Sequence, residues 1–326
     1  MSQKIIIDSD PGIADSLAIL VALADPAVEV IGLTATAGAV SGIQATRNLQ
    51  YLINRVDPIR HPRIGQSDMA SAPCDDAPVG MPHPQHLNGR SGLGDLDPLV
   101  PDLHNRRESA RLIVDLVREF PNEVRILTFG PLTNLAMALE LDAELPMLMS
   151  GLICLGGVLT QCGDVTAAAE FNFWSDPAAA QTVMRSPVGK IVVPLDVSHG
   201  PALAFDDIDR LSGLIPSTPV GEMINGLMLF AVRASRQHTP SETLAIPAVT
   251  ALAVASRSAD YQADAVVMDV ETEGELTSGM TIVDRRPCRP RQTNAEVITQ
   301  LDDAAVLDYF CRGVRRIAVS SEGASD

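Results

Sequence analysis

The sequence predicts an α/β fold built on a mostly parallel central sheet flanked by helices. Three observations carry that expectation. Short apolar runs rich in β-branched residues alternate with helix-patterned segments along most of the 326 residues. The runs are apolar at consecutive positions, as strands covered by helices on both faces are. They also end in turns rich in carboxylates, glycine and proline, the place where open α/β sheets bind ligands.

The first run, Ile5-Ile6-Ile7, reads as a buried strand, and Ser16 to Ala24 as a helix. The turn between them holds Asp8, Asp10 and Asp15, with Pro11 to fix φ and Gly12 to permit a sharp bend. Clustered carboxylate oxygens suit a hard cation such as Ca²⁺ or Mg²⁺. The same residues would also serve a plain turn, with Asp8 accepting from amides and Asp15 capping the helix. Residue types alone leave both readings open.

Val28 to Thr36 reads as the second strand, 41–55 as a helix, and the residues around Ile64 as a short strand. From Gln66 to Asn105 the chain is rich in Pro, Gly, His and Asp and has no sustained periodicity. Its glycine-dense centre, His86 to Gly94, is either a mobile flap over a site or a solvated linker. Arg107 to Phe120 is amphipathic, Val124 to Phe129 reads as a strand, and Gly130-Pro131-Leu132-Thr133-Asn134 turns it into a helix. Another buried strand, Leu152 to Leu155, exits through Gly156-Gly157. In Thr166 to Pro177, read as extended, Glu170 and Asn172 fall on one side. Together a carboxylate and an amide can hold several hydroxyls, although by themselves these are ordinary turn residues.

A helix over 178–184, a strand from Lys190 and its exit turn follow. That turn holds Asp196 and His199, candidates for catalysis, although a lone histidine is more often a capped or solvated one. Helices are expected over 220–236 and 247–255, strands near 265–270, 280–283 and 296–299, and a last helix from Asp302 to about Gly313. One domain spans 1–326, with a frayed tail from about 318.

Apolar residues make up 46% and the net charge is −17, which argues against nucleic-acid or anionic-membrane partners and fits a neutral or cationic small molecule. No apolar run is long enough to span a bilayer. No signal peptide is recognisable ahead of the first strand. The five cysteines (Cys74, Cys154, Cys162, Cys288, Cys311) are odd in number and widely spaced, so a reduced, cytoplasmic protein is expected.

Three motifs carry a family resemblance. Asp8-Ser9-Asp10-Pro11-Gly12-Ile13-Ala14-Asp15 resembles the D-x-D-P-G-x-D-D signature of the inosine-uridine-preferring nucleoside hydrolases. Gly130-Pro131-Leu132-Thr133-Asn134 matches their second signature. Glu170-Phe171-Asn172, with Asp176-Pro177 beyond it, resembles their ribose-binding segment. The resemblance implies a single-domain nucleoside-hydrolase-like fold, an N-ribohydrolase acting on a nucleoside-like substrate, and a homodimer or homotetramer. It implies Asp10 as the catalytic base, Ca²⁺ held by Asp10, Asp15 and the Phe129 carbonyl, and substrate contacts from Glu170, Asn172 and Asn88. The chain departs from the pattern at Ala14 and Ile246, where carboxylates are the rule, and at Ala39, where asparagine is. A poorer calcium site is therefore expected. Glu242, Asp196 and His199 are the side chains that could compensate. A homologue that binds a nucleoside-like ligand without turnover, or serves as a structural subunit, is the alternative.

Overall fold

The computed structural model describes residues 2–76, 83–101, 107–239, 241–286 and 292–320. Strand β1 (Gln3–Ser9) leads through helix α1 (Ile13–Ala24) to β2 (Val28–Ala35), and α2 (Gly42–Val56) leads to the short β3 (Arg63–Gly65). A 3₁₀ turn at Pro73–Asp76 and the five-residue α3 (Pro84–Asn88) precede α4 (Ser109–Glu119), β4 (Val124–Thr128), α5 (Thr133–Leu141), α6 (Leu145–Leu148) and β5 (Gly151–Leu155). Next come α7 (Phe171–Ser175), α8 (Pro177–Arg185), β6 (Lys190–Val193), α9 (Leu195–Ser198), β7 (Ala202–Ala204), α10 (Phe205–Ser212) and α11 (Pro219–His238). The chain ends with β8 (Thr243–Ala245), α12 (Pro247–Ala255), β9 (Tyr261–Val266), β10 (Met268–Val270), β11 (Thr281–Val283), β12 (Ala295–Leu301) and α13 (Asp303–Ser320).

The eight-stranded sheet has the order β3-β2-β1-β4-β5-β6-β12-β9. Every pairing in it is parallel except that of β9 with β12. The mostly parallel sheet read from the sequence is thus the one observed. The chain leaves β1 toward β2 and β3, then returns to its other side with β4. A crevice opens where strand order reverses in this way, beyond the carboxyl ends of the two central strands. Asp8 and Asp10 leave β1 there, and Phe129 and Gly130 leave β4.

Consecutive apolar residues are needed because both faces of the sheet are covered. Ile5, Ile6 and Ile7 are all fully buried. Ile5 and Ile7 join the layer with α1, α11, α12 and α13, whereas Ile6 joins the layer with α4, α5 and α8. Leu152 to Leu155 alternate between the same two layers. Burial on this scale clamps the central strands, so the loops at their carboxyl ends rest on a stiff platform.

Several local expectations are corrected. Residues 166–177 are not extended, because Glu170 nucleates the short helix α7. The strand expected near 265–270 is two strands, with β9 starting at Tyr261, and the last helix runs on to Ser320. A frayed tail from about 318 is therefore corrected for 318–320, and the rest of it lies outside the described residues. The β7–β8 ladder and α10 were not anticipated. Where described, the glycine-dense segment is packed against the body of the sheet domain. The Asn48 amide donates to the carbonyls of Pro11 (3.0 Å) and Ser91 (2.7 Å), which ties the segment to the first turn.

Candidate active site

Asp10 lies in the crevice, and its carboxylate is slotted between two backbones. A Cβ at Gly38 would collide with one of its oxygens, and a Cβ at Gly130 with the other. Both glycines are thus required for close approach, one from the turn after β2 and one from the turn after β4. The Ala39 N–H donates to Asp10 Oδ2 at 2.5 Å. Burial pushes the Asp10 carboxyl up to about 6, with the Ala39 amide working against the shift. Asp15, in the first turn of α1, accepts from Ser9 Oγ at 2.7 Å. Burial and the nearby Asp10 charge drive its pKa well above the usual range. It does not cap the helix; the N-cap, Gly12, makes no side-chain bond.

Asn88 reaches α1 from the flap side. Its Oδ1 accepts from the Ile13 N–H at 2.9 Å and its Nδ2 donates to the Pro84 carbonyl. Gly12 has an ordinary backbone (φ −84°) and supplies room: a Cβ there would strike the Asn88 amide. The sharp bend expected of Gly12 is thus replaced by a need for space. Asn88 lines the cavity, but its amide oxygen is already engaged in holding the helix terminus.

Glu170 has a comparable double position. Its Oε1 accepts from the Asn172 N–H, and its Oε2 from the N–H groups of Gly157 (2.8 Å) and Phe173 (3.2 Å). Three of about four lone-pair sites are used. Burial, then the Asp164 charge, push its carboxyl up to about 8. Asn172 Nδ2 donates to the carbonyls of Phe129 (2.7 Å) and Leu155 (3.0 Å). The amide therefore locks the Phe129 carbonyl to the exit of β5 and leaves its own Oδ1 to accept. Thr133 Oγ1 donates to Asp176 Oδ2 at 2.6 Å, which fastens the second motif to the third.

Asp10, Asp15, Asn88, Phe129, Glu170 and Asn172 all line one cavity of about 230 Å³, together with Ala14, Ala39, Asp164 and His199. Among the described residues, no lysine or arginine lines it. Ala14, Leu87, Asn88, His199 and Pro247 also line an adjoining, more apolar cavity of about 430 Å³ walled by α11 and by Ile246. Ile246, 1% exposed, belongs to that second wall. Glu242 is exposed and lines neither cavity. Asp196 is occupied elsewhere, accepting from the backbone amides of Leu159, Thr160 and Gln161.

Three contributors went unseen in the sequence. Asp164, its carboxyl raised to about 6 by burial, accepts from the Phe171 N–H. Thr34 and Asn134 both donate to Asp8 Oδ1, at 2.5 and 2.8 Å. Asn134 closes the second motif, and that was its only signal. Asp8 does not bond turn amides; its Oδ2 is buried with no partner among the described residues, and burial raises its carboxyl to about 7. Burial, then the Asp75 and Asp10 charges, push the Cys74 thiol up to about 12.

These raised carboxyls have a sign. An acid whose folded pKa exceeds its unfolded value of about 4 holds its proton more tightly in the folded state, so stability falls as pH rises through the folded value. Without added cations the protein is therefore less stable at pH 8 than at pH 5. Replacing Asp8 with Asn keeps an acceptor for Thr34 and Asn134 and removes one buried charge. Thermal melts of Asp8→Asn will show a shallower loss of Tm between pH 5 and 8. An unchanged slope would mean that Asp8 does not titrate there.

A family model described as inosine-uridine preferring nucleoside hydrolase matches residues 5–308. An uncharacterized protein of Schizosaccharomyces pombe is 31% identical over 319 residues, covering 97% of this chain and all of that one. An inosine-uridine preferring nucleoside hydrolase of Leishmania major is 28% identical over 307 residues, covering 93% and 94%. Among solved structures, a purine-preferring ribonucleoside hydrolase from Gardnerella vaginalis superposes with a TM-score of 0.83 at 26% identity, covering 97% of this chain and 99% of that one.

Proposed function

The chain belongs to the inosine-uridine preferring nucleoside hydrolase family, and from that premise we propose that it hydrolyses the N-glycosidic bond of a nucleoside with Asp10 as the base that activates water. One observation carries the residue assignment: Asp10 is fixed between Gly38 and Gly130 at the switch point of the sheet, with a carboxyl near pH 6. A base works best when its pKa lies near the operating pH.

The two adjoining cavities divide the substrate by chemistry. The carboxylate-lined one offers acceptors, namely Asp10, Asp15, the remaining Glu170 site and Asn172 Oδ1, and sugar hydroxyls are donors. The apolar one, with Leu17, Leu87, Ala231 and Ile246 on its wall, takes the base. Water attacks the anomeric carbon and Asp10 accepts its proton, while the C–N bond breaks and its electron pair leaves with the base. His199 lines both cavities and so stands at their seam.

The donor set fits a hard divalent cation, because burial raises the carboxyls of Asp10 and Asp15 and, among the described residues, no lysine or arginine lines their cavity to offset the charge they carry when ionised. Asp10, Asp15 and the Phe129 carbonyl would hold Ca²⁺, which supplies positive charge for the sugar hydroxyls and the attacking water. Nothing observed favours a ligand-binding or structural role instead, since Asp10, Asp15, Glu170 and Asn172 all converge on one cavity.

The reading includes the cytoplasm, supported by Cys74, Cys154, Cys162 and Cys311, which form no disulfide among the described residues. No helix among the described residues is long and apolar enough to cross a membrane. It also includes a homodimer or homotetramer, supported by Met137 and Leu141, exposed one turn apart on α5. Release of reducing sugar from a panel of purine and pyrimidine nucleosides, with and without Ca²⁺, tests the activity. No release from any of them would overturn it.

A further inference from the structure

Between β5 and α7 the chain runs over residues 156–170 without a helix or strand, yet its amides from Gly157 to Gln161 are all engaged, and by side chains. The Gly157 N–H donates to Glu170 Oε2 at 2.8 Å, and the Val158 N–H to Thr281 Oγ1 of β11 at 3.2 Å. The next three converge on one carboxylate. Leu159 donates to Asp196 Oδ2 at 2.7 Å, and Thr160 and Gln161 donate to Asp196 Oδ1 at 2.8 and 3.2 Å. The Thr160 hydroxyl adds a bond of 2.6 Å to that same oxygen. We infer that Asp196 is a positioning residue for the carboxylate-lined cavity: it fastens this loop in the one shape that sets Asp164 and Glu170 against the sugar.

Successive backbone N–H groups turned toward one point form a nest for an anion, and here the anion is a side chain of the protein itself. Bonds to a carboxylate are stronger than bonds between neutral groups, so one residue can hold a stretch that no ladder holds. Burial works to raise the Asp196 carboxyl, but the Thr160 hydroxyl and the amides of Leu159 and Thr160 outweigh it and keep it below its ordinary value. The group is therefore a carboxylate at neutral pH. Its own helix is tied to the loop a second time, because the Leu195 N–H of α9 donates to the Gly157 carbonyl at 2.8 Å.

The loop serves one cavity only. Gly156, Asp164 and Glu170 line the carboxylate-lined cavity, and none of residues 156–170 lines the apolar one. Asp164 follows the anchored stretch closely, and its Oδ1 accepts from the Phe171 N–H at 2.9 Å, so the two ends of the loop meet beside the site. Asp196 itself lines neither cavity and acts through these residues. A slack loop weakens contacts to the sugar and leaves those to the base as they are. That kinetic consequence rests on the proposed division of the substrate between the two cavities; the anchoring does not.

Hydrogen exchange reads the anchor, and competitive inhibition reads its effect. In Asp196→Ala the amides over 157–161 will exchange about tenfold faster or more, as local opening becomes easier, while those of β1 and α1 keep their rates. The KM for nucleosides and the Ki of free ribose will rise about tenfold, on the order of one lost hydrogen bond. The Ki of free hypoxanthine or uracil will stay as it is. Asp196→Asn is the milder variant, since it keeps an oxygen for Thr160 and Gln161 and loses the acceptor for Leu159; it will fall between the two. A merely structural role would move all of these together with Tm. Unchanged exchange over 157–161 in both variants, or ribose and base inhibition weakening in parallel, would overturn the proposal. If the unmodified protein releases no sugar, the proposed reaction fails, and the exchange rates still decide whether Asp196 holds the loop.

Discussion

Asp10→Asn will lose about 10²–10⁴-fold in sugar release, the usual effect of removing a positioned general base, while its fold stays intact. The substitution is nearly isosteric, and an asparagine oxygen can still accept from Ala39, the bond that now sets the side chain at 2.5 Å. The slot between Gly38 and Gly130 accommodates the same heavy-atom shape. Removing a carboxylate whose pKa is raised by burial to about 6 also removes a desolvation cost, so Tm at pH 8 will be unchanged or higher. This pairing separates the two roles open to the residue. A structural Asp10 would give a lower Tm with activity falling in proportion to unfolded protein. A base gives dead, stable protein. In the unmodified enzyme the rate should fall on the acid side as Asp10 gains its proton, and any bound cation will move that limb to lower pH, because positive charge favours the carboxylate. Full turnover by Asp10→Asn would end the assignment.

Much of the architecture was legible because parallel strands between two helix layers must be apolar at every position. Ile5-Ile6-Ile7 and Leu152 to Leu155 carry that signature plainly. β9 does not. Five of its six residues are exposed, as an antiparallel edge strand allows, so no pattern marked its start at Tyr261. β7 and β8 hold three residues each and are defined by pairing with one another, from Ala202 with Ala245 to Ala204 with Thr243, a relation no local window contains. At the site, residue types were readable but engagements were not. Glu170 looked like a ligand group on an extended segment; in the structure it is first an N-cap, and the carboxylate that caps a helix bends the chain that was to be straight. Asn134 shows the converse. It was read as part of a turn, yet its amide ties Asp8 to the Ala35 carbonyl, because α5 starts beside the ends of β1 and β2.

Restoring carboxylates by Ala14→Asp with Ile246→Asp will tighten calcium on the order of 10–100-fold, since ligand charge helps set affinity at oxygen sites. The unmodified chain, with Asp10, Asp15 and one carbonyl already bonded to Asn172, should bind Ca²⁺ weakly. Both substitutions suit their backbones. Ala14 sits in the first turn of α1, where the helix dipole favours an acid. Ile246 is the N-cap of α12 and makes no capping bond, a position that aspartate fills well. The cost falls on the apo protein. Ile246 is buried in the apolar layer, and a carboxylate there is a buried charge without a partner until a cation binds. The double variant will therefore melt below the unmodified protein in chelator at pH 8 and recover in millimolar Ca²⁺. A variant that is destabilised but gains no calcium affinity would show that position 246 does not face the ion. Tight calcium binding by the unmodified chain would show that water or another oxygen already completes the shell that Ala14 and Ile246 leave open.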